Sequence, residues 1–192
     1  MSRLRRLGAV LLVVAVLAAG HAIGASLPDR NGQLRPFPVT GDFGTDVTAR
    51  EFTARAVAVR CAAELKIGEA ILSTQGVWVV VRLRLTARRE VTSIQYAAIR
   101  DAEGRVYEVT DRFEQPLVAG GRRLQPGIRV EGEIALEVPA TATGTLTLLL
   151  AATFVDHRMD SMTEIPLPIG DAGAALRDPA ATEVLAPRLV TS

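Results

Sequence analysis

The feature that most restricts the fold of this chain is the strict alternation of side chains over residues 77–85. Successive side chains of a β-strand point to opposite faces of its sheet, so a period of two marks a half-buried strand. The second face of this segment carries Arg82 and Arg84. The segment therefore predicts an antiparallel strand that covers a core with its apolar face, which consists of Val77, Val79, Val81, Leu83 and Leu85.

Other segments predict further strands with a similar pattern. Residues 130–138 repeat the alternation, and residues 146–150 place leucines among threonines, which favour strands. Residues 101–104 (Asp-Ala-Glu-Gly) form a short loop whose glycine can take the left-handed conformation that a hairpin needs. We therefore expect a hairpin between residues 94–100 and residues 105–109.

Weaker signals complete the set of predicted strands. Pro126 and Gly127 suit the central positions of a type II turn just before residue 130. Residues 52–61 carry arginine on both faces, which a bulge near Arg55 or Arg60 would reconcile. The weaker predicted strands are residues 37–39 and 52–61, together with edge strands at 70–73 and 165–167.

Seven or eight short strands without a long amphipathic helix favour an all-β, two-sheet sandwich, with a small closed barrel as the alternative. The length of 192 residues allows one such domain, and we expect it over residues 36–170. Residues 28–35 combine Pro, Asp, Asn and Gly, which indicates a linker. Residues 171–192 are rich in Ala and Pro without a sustained period, which predicts a flexible tail.

The first residues carry the pattern of an export signal. Arg3, Arg5 and Arg6 precede the uncharged residues 7–27, a stretch of 21 residues. Since about 20 helical residues span the hydrocarbon core of a bilayer, residues 7–27 are long enough for a single-pass anchor. The arginines are expected to stay cytoplasmic, which places the C-terminal domain outside the cell membrane.

The same segment also fits a signal peptide that is removed, which would leave a secreted protein. Cleavage after Ala25 would place Ile23 at a position that prefers a small residue, whereas Ala22 with Gly20 is the other candidate. No cysteine follows the apolar stretch until Cys61, which excludes a lipoprotein anchor. Anchor and signal peptide are therefore both retained.

The charges of the exported part exclude one class of partner. Without the three leading arginines, the chain has 19 basic and 21 acidic residues, and their signs are interspersed. Binding to nucleic acid needs a basic face that contacts phosphates, so we expect no nucleic acid partner. With one cysteine, Cys61, the chain has no intrachain disulfide and must be stabilised by its core.

The residues that could carry chemistry are few. Beyond the apolar segment the single histidine is His157, and a catalytic triad would need it beside Ser73, Ser93, Ser161 or Cys61 without a nucleophile-elbow motif. Asp156, His157 and Asp160 with Asp111 or Glu114 would form a calcium site, but a polar loop is the preferred interpretation. We therefore predict no catalytic, cofactor-binding or metal-binding residue, and interpret Cys61 as a small core residue.

The remaining polar patterns are interpreted as structural. Glu131, Glu133 and Glu137 share the predicted solvent face of their strand, where Arg82 and Arg84 would pair with them if the strands are neighbours. Residues 120–123 (Gly-Gly-Arg-Arg) lack the strand-to-helix context of a phosphate loop, which favours a flexible loop. Trp78 is interpreted as a core or inter-sheet residue.

The order of the Trp78 strand, the hairpin with Tyr107 and the run 124–139 resembles a known family. It is similar to the immunoglobulin-like extracellular domains of unknown function of Gram-positive bacteria, which include relatives of a small secreted mycobacterial immunogenic protein. The resemblance covers residues 37–153 and implies an immunoglobulin-like antiparallel β-sandwich outside the membrane, with no catalytic residue carried over.

These observations favour a non-enzymatic exported module that binds or assists a protein or envelope partner and contacts the membrane through residues 7–27. Two alternatives stay open. One is an exported hydrolase that uses His157, and the other is a structural subunit of a membrane complex.

Overall fold

The computed structural model of the chain describes residues 12–22, 36–142, 144–153, 160–170 and 182–190. The contacts divide the chain into Met1–Arg35 and Pro36–Ser192. Among the described residues of the second unit, eleven strands form two sheets. The strands are β1 (Phe37–Thr40), β2 (Val47–Thr48), β3 (Phe52–Ile67), β4 (Ala70–Ala87), β5 (Tyr96–Arg100), β6 (Val106–Glu108), β7 (Arg129–Val138), β8 (Thr147–Ala151), β9 (Ser161–Pro166), β10 (Thr182–Glu183) and β11 (Arg188–Val190).

The larger sheet is built around the alternating strand that the sequence predicts. Its order is β10-β3-β4-β7-β11, and β2 pairs with the edge of β3. β4 and β7 are antiparallel, with a register that runs from Val77 opposite Val138 to Leu85 opposite Val130. Because both strands alternate, this register places their apolar faces on the same side, where both are buried in the main core.

The smaller sheet has the order β1-β9-β8-β5-β6 and covers the other side of the core. Ala97 and Ile99 of β5 face the core, as do Leu148 and Leu150 of β8. The opposite face carries a second apolar cluster that includes Leu149, so β8 is buried on both faces. The two sheets together make a β-sandwich.

The predicted hairpin between β5 and β6 is confirmed, and Asp101 holds its loop. The Asp101 carboxylate accepts hydrogen bonds from the backbone N–H groups of Glu103 and Arg105 at 3.0 and 2.9 Å. It also accepts bonds from Arg105 Nε at 2.7 Å and from the Tyr107 hydroxyl at 3.0 Å. Gly104 has φ +83°, the left-handed conformation expected of this position.

Several predicted boundaries differ from the structure. Residues 70–73 do not form an edge strand, because β4 begins at Ala70 directly after the turn from β3. β9 is not an edge strand either, since it lies between β1 and β8. The expected irregularity in β3 is present as register shifts at Ala56/Ala58 and Ala62/Glu64, which lie beside the predicted positions.

Residues 182–190, called the C-terminal segment below, differ most from expectation. They were expected within a flexible tail over 171–192, but β10 pairs with β3 and β11 pairs with β7. Val184 packs on a small cluster of buried residues on the outer face of the larger sheet. The segment therefore takes its structure from that face, and no local period in its own sequence predicts this. Residues 171–181 and 191–192 lie outside the described residues.

The apolar N-terminal segment is described over residues 12–22, which are helical. No helix among the described residues is long and apolar enough to cross a membrane. The remaining residues of the stretch 7–27 and the linker 28–35 lie outside the described part of the chain.

Candidate functional site

A long connection between β6 and β7, residues 109–128, forms one wall of a cavity of about 730 Å³. This cleft loop is anchored by three buried apolar side chains, Leu117, Val118 and Leu124, which belong to the main core. Leu124 also exchanges backbone hydrogen bonds with Thr92, at 2.7 and 3.2 Å. Because side chains along its length are buried, the loop is fixed to the sandwich although it has little regular structure.

Gln115 ties the cleft loop to the edge of β7. Its side-chain Nε2 donates to the carbonyl of Ala135 at 2.8 Å, and its Oε1 accepts from the N–H of Ala135 at 3.3 Å. The side-chain amide thereby takes the place of a neighbouring strand at this position. Gln115 is itself buried, and these two hydrogen bonds satisfy both polar groups of its side chain.

Aromatic contacts fix the loop on the outer face of the larger sheet. Phe113 packs against Trp78 with a ring centroid distance of 6.3 Å and an interplanar angle of 68°. The Arg112 guanidinium lies 5.3 Å from the Trp78 ring centroid, a cation–π arrangement. Trp78 is fully buried, so its predicted core role is confirmed, but it lies on the outer face and not between the sheets.

The binding cleft is a cavity of about 730 Å³ between β5, the end of β6 and the cleft loop. Tyr96 and Phe113 supply its aromatic walls, and Gln115 lies in its lining. Residues 119–121 form another wall, where Ala119 has φ +54° and Gly120 has φ +85°. The described residues of the lining are Gln95, Tyr96, Ala97, Glu108, Val109, Thr110, Asp111, Phe113, Glu114, Gln115, Ala119, Gly120 and Gly121.

Among the described residues that line the binding cleft, the charged side chains are all acidic: Glu108, Asp111 and Glu114. All three are exposed, and in the described part of the chain none of their carboxylates has a hydrogen bond or an ion pair. Burial raises the pKa of the nearby Tyr96 hydroxyl, and the negative charge of Glu108 raises this pKa further. The charge that the described lining itself presents is therefore negative.

A second cavity of about 610 Å³ lies beside the cleft and shares Glu108 and Thr110 with it. This side cavity is also lined by Tyr107 and Glu137. Glu137 differs from the cleft carboxylates because it is paired with Arg112 at 3.3 Å and accepts a hydrogen bond from Thr74. Two neighbouring depressions thus flank the end of β6.

Residues 120–123 were expected to form a flexible loop, but close backbone packing explains why position 121 is a glycine. A Cβ on Gly121 would lie 2.7 Å from the carbonyl oxygens of Gln115 and Pro116. The backbone of the cleft loop therefore approaches itself at a place where only glycine fits.

We predict that Gly121→Ala destabilises the protein by about 1–3 kcal/mol, because backbone must move to admit the methyl group. The same change at Gly170, whose surroundings are open, is expected to stay within about 0.5 kcal/mol. Urea unfolding followed by tryptophan fluorescence measures both values. Equal stability of the two variants would show that the close approach is not maintained.

A second polar feature, the outer ion-pair network, lies on the larger sheet. Its centre is Glu133, which the sequence places on a solvent face but whose side chain is fully buried. Arg60 binds its carboxylate through two hydrogen bonds of 2.7 Å, and Arg82 adds one of 3.0 Å. The backbone N–H of Leu185 donates a fourth at 2.9 Å.

The C-terminal segment is the reason why this face is covered. Glu131 is 6% exposed and binds Arg84 at 2.7 Å and Arg188 at 2.9 Å. The Glu183 carbonyl accepts a hydrogen bond of 2.8 Å from Arg60. The expected pairing of Arg82 and Arg84 with these glutamates is confirmed, whereas the expected solvent exposure of Glu131 and Glu133 is wrong.

The outer ion-pair network predicts an acid-dependent loss of stability. Burial raises the pKa of Glu133, but the hydrogen bonds from Arg60, Leu185 and Arg82 and the charge of Arg60 outweigh it and lower the pKa from 4.5 to about 2. A lowered folded-state pKa stabilises the protein above pH 4.5, and this contribution is lost as the pH falls toward 2.

We expect Glu133→Gln to flatten the pH dependence of the unfolding free energy in this window, as measured by urea unfolding at successive pH values. Glu69→Gln, a change at an exposed carboxylate of the β3–β4 turn, is the control and should leave the slope unchanged. An unchanged slope in Glu133→Gln would contradict the assignment.

The described residues among the catalytic candidates have separate positions and contacts in the structure. The Ser93 hydroxyl contacts Gln95 Nε2 at 2.6 Å, and the Ser161 hydroxyl accepts the backbone N–H of Arg50 at 2.7 Å. Cys61 is half-buried against the main core, and burial raises the pKa of its thiol. His157 lies outside the described residues.

The residues that the sequence offers for a calcium site have different positions and contacts in the structure. Asp160 is buried and binds the Thr153 hydroxyl at 3.1 Å and the N–H of Ser161 at 2.7 Å. Asp111 and Glu114 line the binding cleft, and Asp156 lies outside the described residues. Among the residues that the structure describes, no group of three or more His, Cys, Asp or Glu side chains is placed to hold a metal ion.

No regular sequence pattern predicts the binding cleft. Its acidic residues occur in a stretch without period, and the residues around Tyr96 predict only a strand. A local signal was present, since residues 108–114 hold three acidic residues beside one arginine, but the walls of the cleft come from distant parts of the chain.

Comparison with known proteins finds similarity at the level of solved structures. No family model and no curated protein matches the chain. A secreted protein from Mycobacterium tuberculosis, MPT63, is 16% identical over 67% of this chain and 98% of that protein, with a TM-score of 0.47. An uncharacterized β-sandwich protein from Clostridium difficile 630 is 9% identical over 69% of this chain and 95% of that protein, with a TM-score of 0.42.

Proposed function

We propose that this chain is an exported, non-catalytic, immunoglobulin-like module that binds a ligand in the binding cleft. The observation that carries the proposal is the cleft itself, about 730 Å³ in volume and lined by two aromatic rings and three carboxylates without partners in the described chain. Ligand sites are typically concave, with volumes of about 300–1,000 Å³, and combine apolar walls with a few polar groups.

The anchoring of the cleft loop supports a binding role. Leu117, Val118 and Leu124 are buried, and Gln115 is bonded to β7, so the wall of the cleft is held in place before a ligand arrives. A preformed site avoids the entropy cost of ordering a loop on binding. The proposal that the module is non-catalytic is supported by the structural use of the Ser93 and Ser161 hydroxyls.

The strand connectivity supports the immunoglobulin-like assignment. β3, β4 and β7 correspond in order and neighbours to strands A, B and E of that fold, and β6, β5, β8 and β9 correspond to C′, C, F and G. Two usual features differ, because the chain has one cysteine and its tryptophan lies on the strand that corresponds to B.

Export is proposed from the leading arginines and the apolar residues 7–27. The segment either tethers the module to the membrane as a single-pass anchor or is removed to release it. Intact-mass measurement of the exported protein distinguishes the two outcomes. A mature chain that begins near Ile23 or Ser26 would contradict the anchor, and a protein found only in the cytoplasm would contradict export.

The binding role is tested by a fragment screen with the uniformly ¹⁵N-labelled full chain in a neutral detergent. We expect ligands to shift the amide signals of the cleft lining, above all those of Tyr96, Asp111 and Gly120. Thr110→Trp, which fills the cleft, should abolish the shifts, and Thr48→Trp on β2 should preserve them. A screen in which no compound shifts the lining, or in which Thr110→Trp changes nothing, would contradict the proposal.

A further inference from the structure

We propose that the ligand of the binding cleft is a flexible organic cation that carries more than one ammonium group. This inference rests on the proposed function and names the chemical class of the ligand. Glu108, Asp111 and Glu114 would receive the ammonium groups, and Tyr96 and Phe113 would contact the carbon chain between them.

The distribution of charge over the protein favours a cation at this site. The chain has 22 basic residues, yet the charged side chains among the described lining of the cleft are all carboxylates. Elsewhere, carboxylates such as Glu131, Glu133 and Glu164 are paired with arginine. The cleft carboxylates have no such partner in the described chain, so a cationic ligand would supply the missing counter-charge.

The spacing of the carboxylates favours an organic cation over a metal ion. A hard cation such as calcium needs several oxygen ligands at about 2.3–2.6 Å, which requires carboxylates that converge on one point. No such group exists among the described residues. The three carboxylates are instead distributed around the walls of a cavity of about 730 Å³, which suits a ligand whose charges are separated by carbon chain.

The aromatic walls of the cleft would provide a second type of contact to the cationic ligand. Ammonium groups and the methylene groups next to them bind favourably against aromatic faces. The protein uses the same contact internally, where Arg112 lies over Trp78 at 5.3 Å. Tyr96 lies close enough to Glu108 for the carboxylate charge to raise the pKa of the phenol, so a carboxylate and an aromatic ring share one part of the cleft.

The side cavity favours a long ligand. It lies beside the cleft, has Glu108 and Thr110 in its lining as the cleft does, and has a volume of about 610 Å³. Its lining contains Glu137, whose charge Arg112 already balances. Of the two cavities, the binding cleft therefore carries the unpaired carboxylates, and the side cavity offers space for the remainder of an extended molecule.

The test is isothermal titration of the full chain in a neutral detergent with spermidine, a linear organic cation, and with triethylene glycol, a neutral chain of similar length. We expect spermidine to bind and triethylene glycol not to bind. Glu108→Gln, Asp111→Asn and Glu114→Gln should each weaken spermidine binding about two- to five-fold. Raising the ionic strength from 0.05 to 0.5 M should also weaken it, because salt screens exposed charges.

Glu69→Gln is the matched control, since it removes the same charge from an exposed position outside the cleft and should leave the affinity unchanged. An equal loss in Glu69→Gln would overturn the inference, because binding would then follow net charge alone. Trilysine, a peptide with several ammonium groups, is a second probe. If trilysine binds and spermidine does not, the ammonium groups of the ligand belong to a peptide, and the inferred cationic chemistry is still supported.

The failure of this inference can be told apart from failure of the proposed function. If spermidine and trilysine do not bind but neutral fragments shift the cleft lining, the cationic ligand is wrong and the binding role stands. If neither cations nor fragments bind, both are wrong. Far-UV circular dichroism of each variant verifies that the sandwich is intact before affinities are compared.

Discussion

Glu133→Ala is expected to lower the free energy of unfolding by about 3 kcal/mol, near the loss typical when one partner of a buried ion pair is removed. The fully buried carboxylate accepts hydrogen bonds from Arg60, Arg82 and Leu185. Without the carboxylate, the guanidinium groups of Arg60 and Arg82 lose their shared counter-charge, and the N–H of Leu185 loses its acceptor. The side chains of both arginines are 33% exposed, so water replaces part of what is lost.

Urea unfolding of the full chain at neutral pH measures this loss. Glu69→Ala, at an exposed carboxylate, is the control and is expected to remain within about 0.5 kcal/mol of the parent. The double variant Arg60→Ala/Glu133→Ala should be less destabilised than the sum of the two single variants, because the pair is coupled. Additive losses, or a loss in Glu133→Ala no larger than in the control, would show that the network does not stabilise the sheet.

The second large effect is expected for Trp78→Ala, which should cost about 3–5 kcal/mol, the range for truncating a buried aromatic side chain. Trp78 is fully buried and contacts Phe113 and Arg112, and its indole N–H donates to the Leu72 carbonyl at 3.2 Å. Its removal would leave a cavity under the cleft loop. Ligand binding in the binding cleft should therefore weaken in the same variant.

Thermal unfolding followed by circular dichroism measures the loss of stability, since the variant has no tryptophan fluorescence. Trp78→Phe is expected to retain more than half of the lost stability, because an aromatic ring still contacts Phe113. Phe37→Ala is the control, as Phe37 is 56% exposed and should contribute little. If Trp78→Ala is no less stable than Phe37→Ala, the outer cluster does not hold the cleft loop.

The parts of the fold that the sequence predicts are those with a local cause. Alternation over residues 77–85 and 130–138 defines β4 and β7, because each strand must bury one face whatever its partner is. The hairpin at residues 101–104 follows from Gly104 and from the nearby Asp101 carboxylate. These features depend on a few consecutive residues, so inspection of the sequence finds them.

Alternation along a strand does not determine whether the face opposite the core is exposed or buried. The alternation places Glu133 opposite the core, but it contains no information about what covers the outer side of the sheet. The cover comes from Leu185 and Arg188, which lie about fifty residues further along the chain. The prediction of a solvent face was wrong because a charged residue is buried when enough opposite charge surrounds it, and that depends on distant contacts.

The binding cleft is beyond local prediction for a similar reason. Tyr96, Glu108 and Gly121 belong to three separate elements, and only the packing of residues 109–128 on the sandwich brings them to one cavity. The anchors of that loop, Leu117 and Leu124, occur without strand or helix periodicity. A pattern search that looks for regular structure therefore passes over the loop that builds the site.

The larger sheet cannot form all of its strand pairs before the C-terminal segment has been synthesised. β10 and β11 follow every other strand of that sheet in the chain, and they supply the groups that close around Glu131 and Glu133. During synthesis the two carboxylates therefore remain hydrated until residues 182–190 have been made. Until then, β3 and β7 lack the edge partners that β10 and β11 supply.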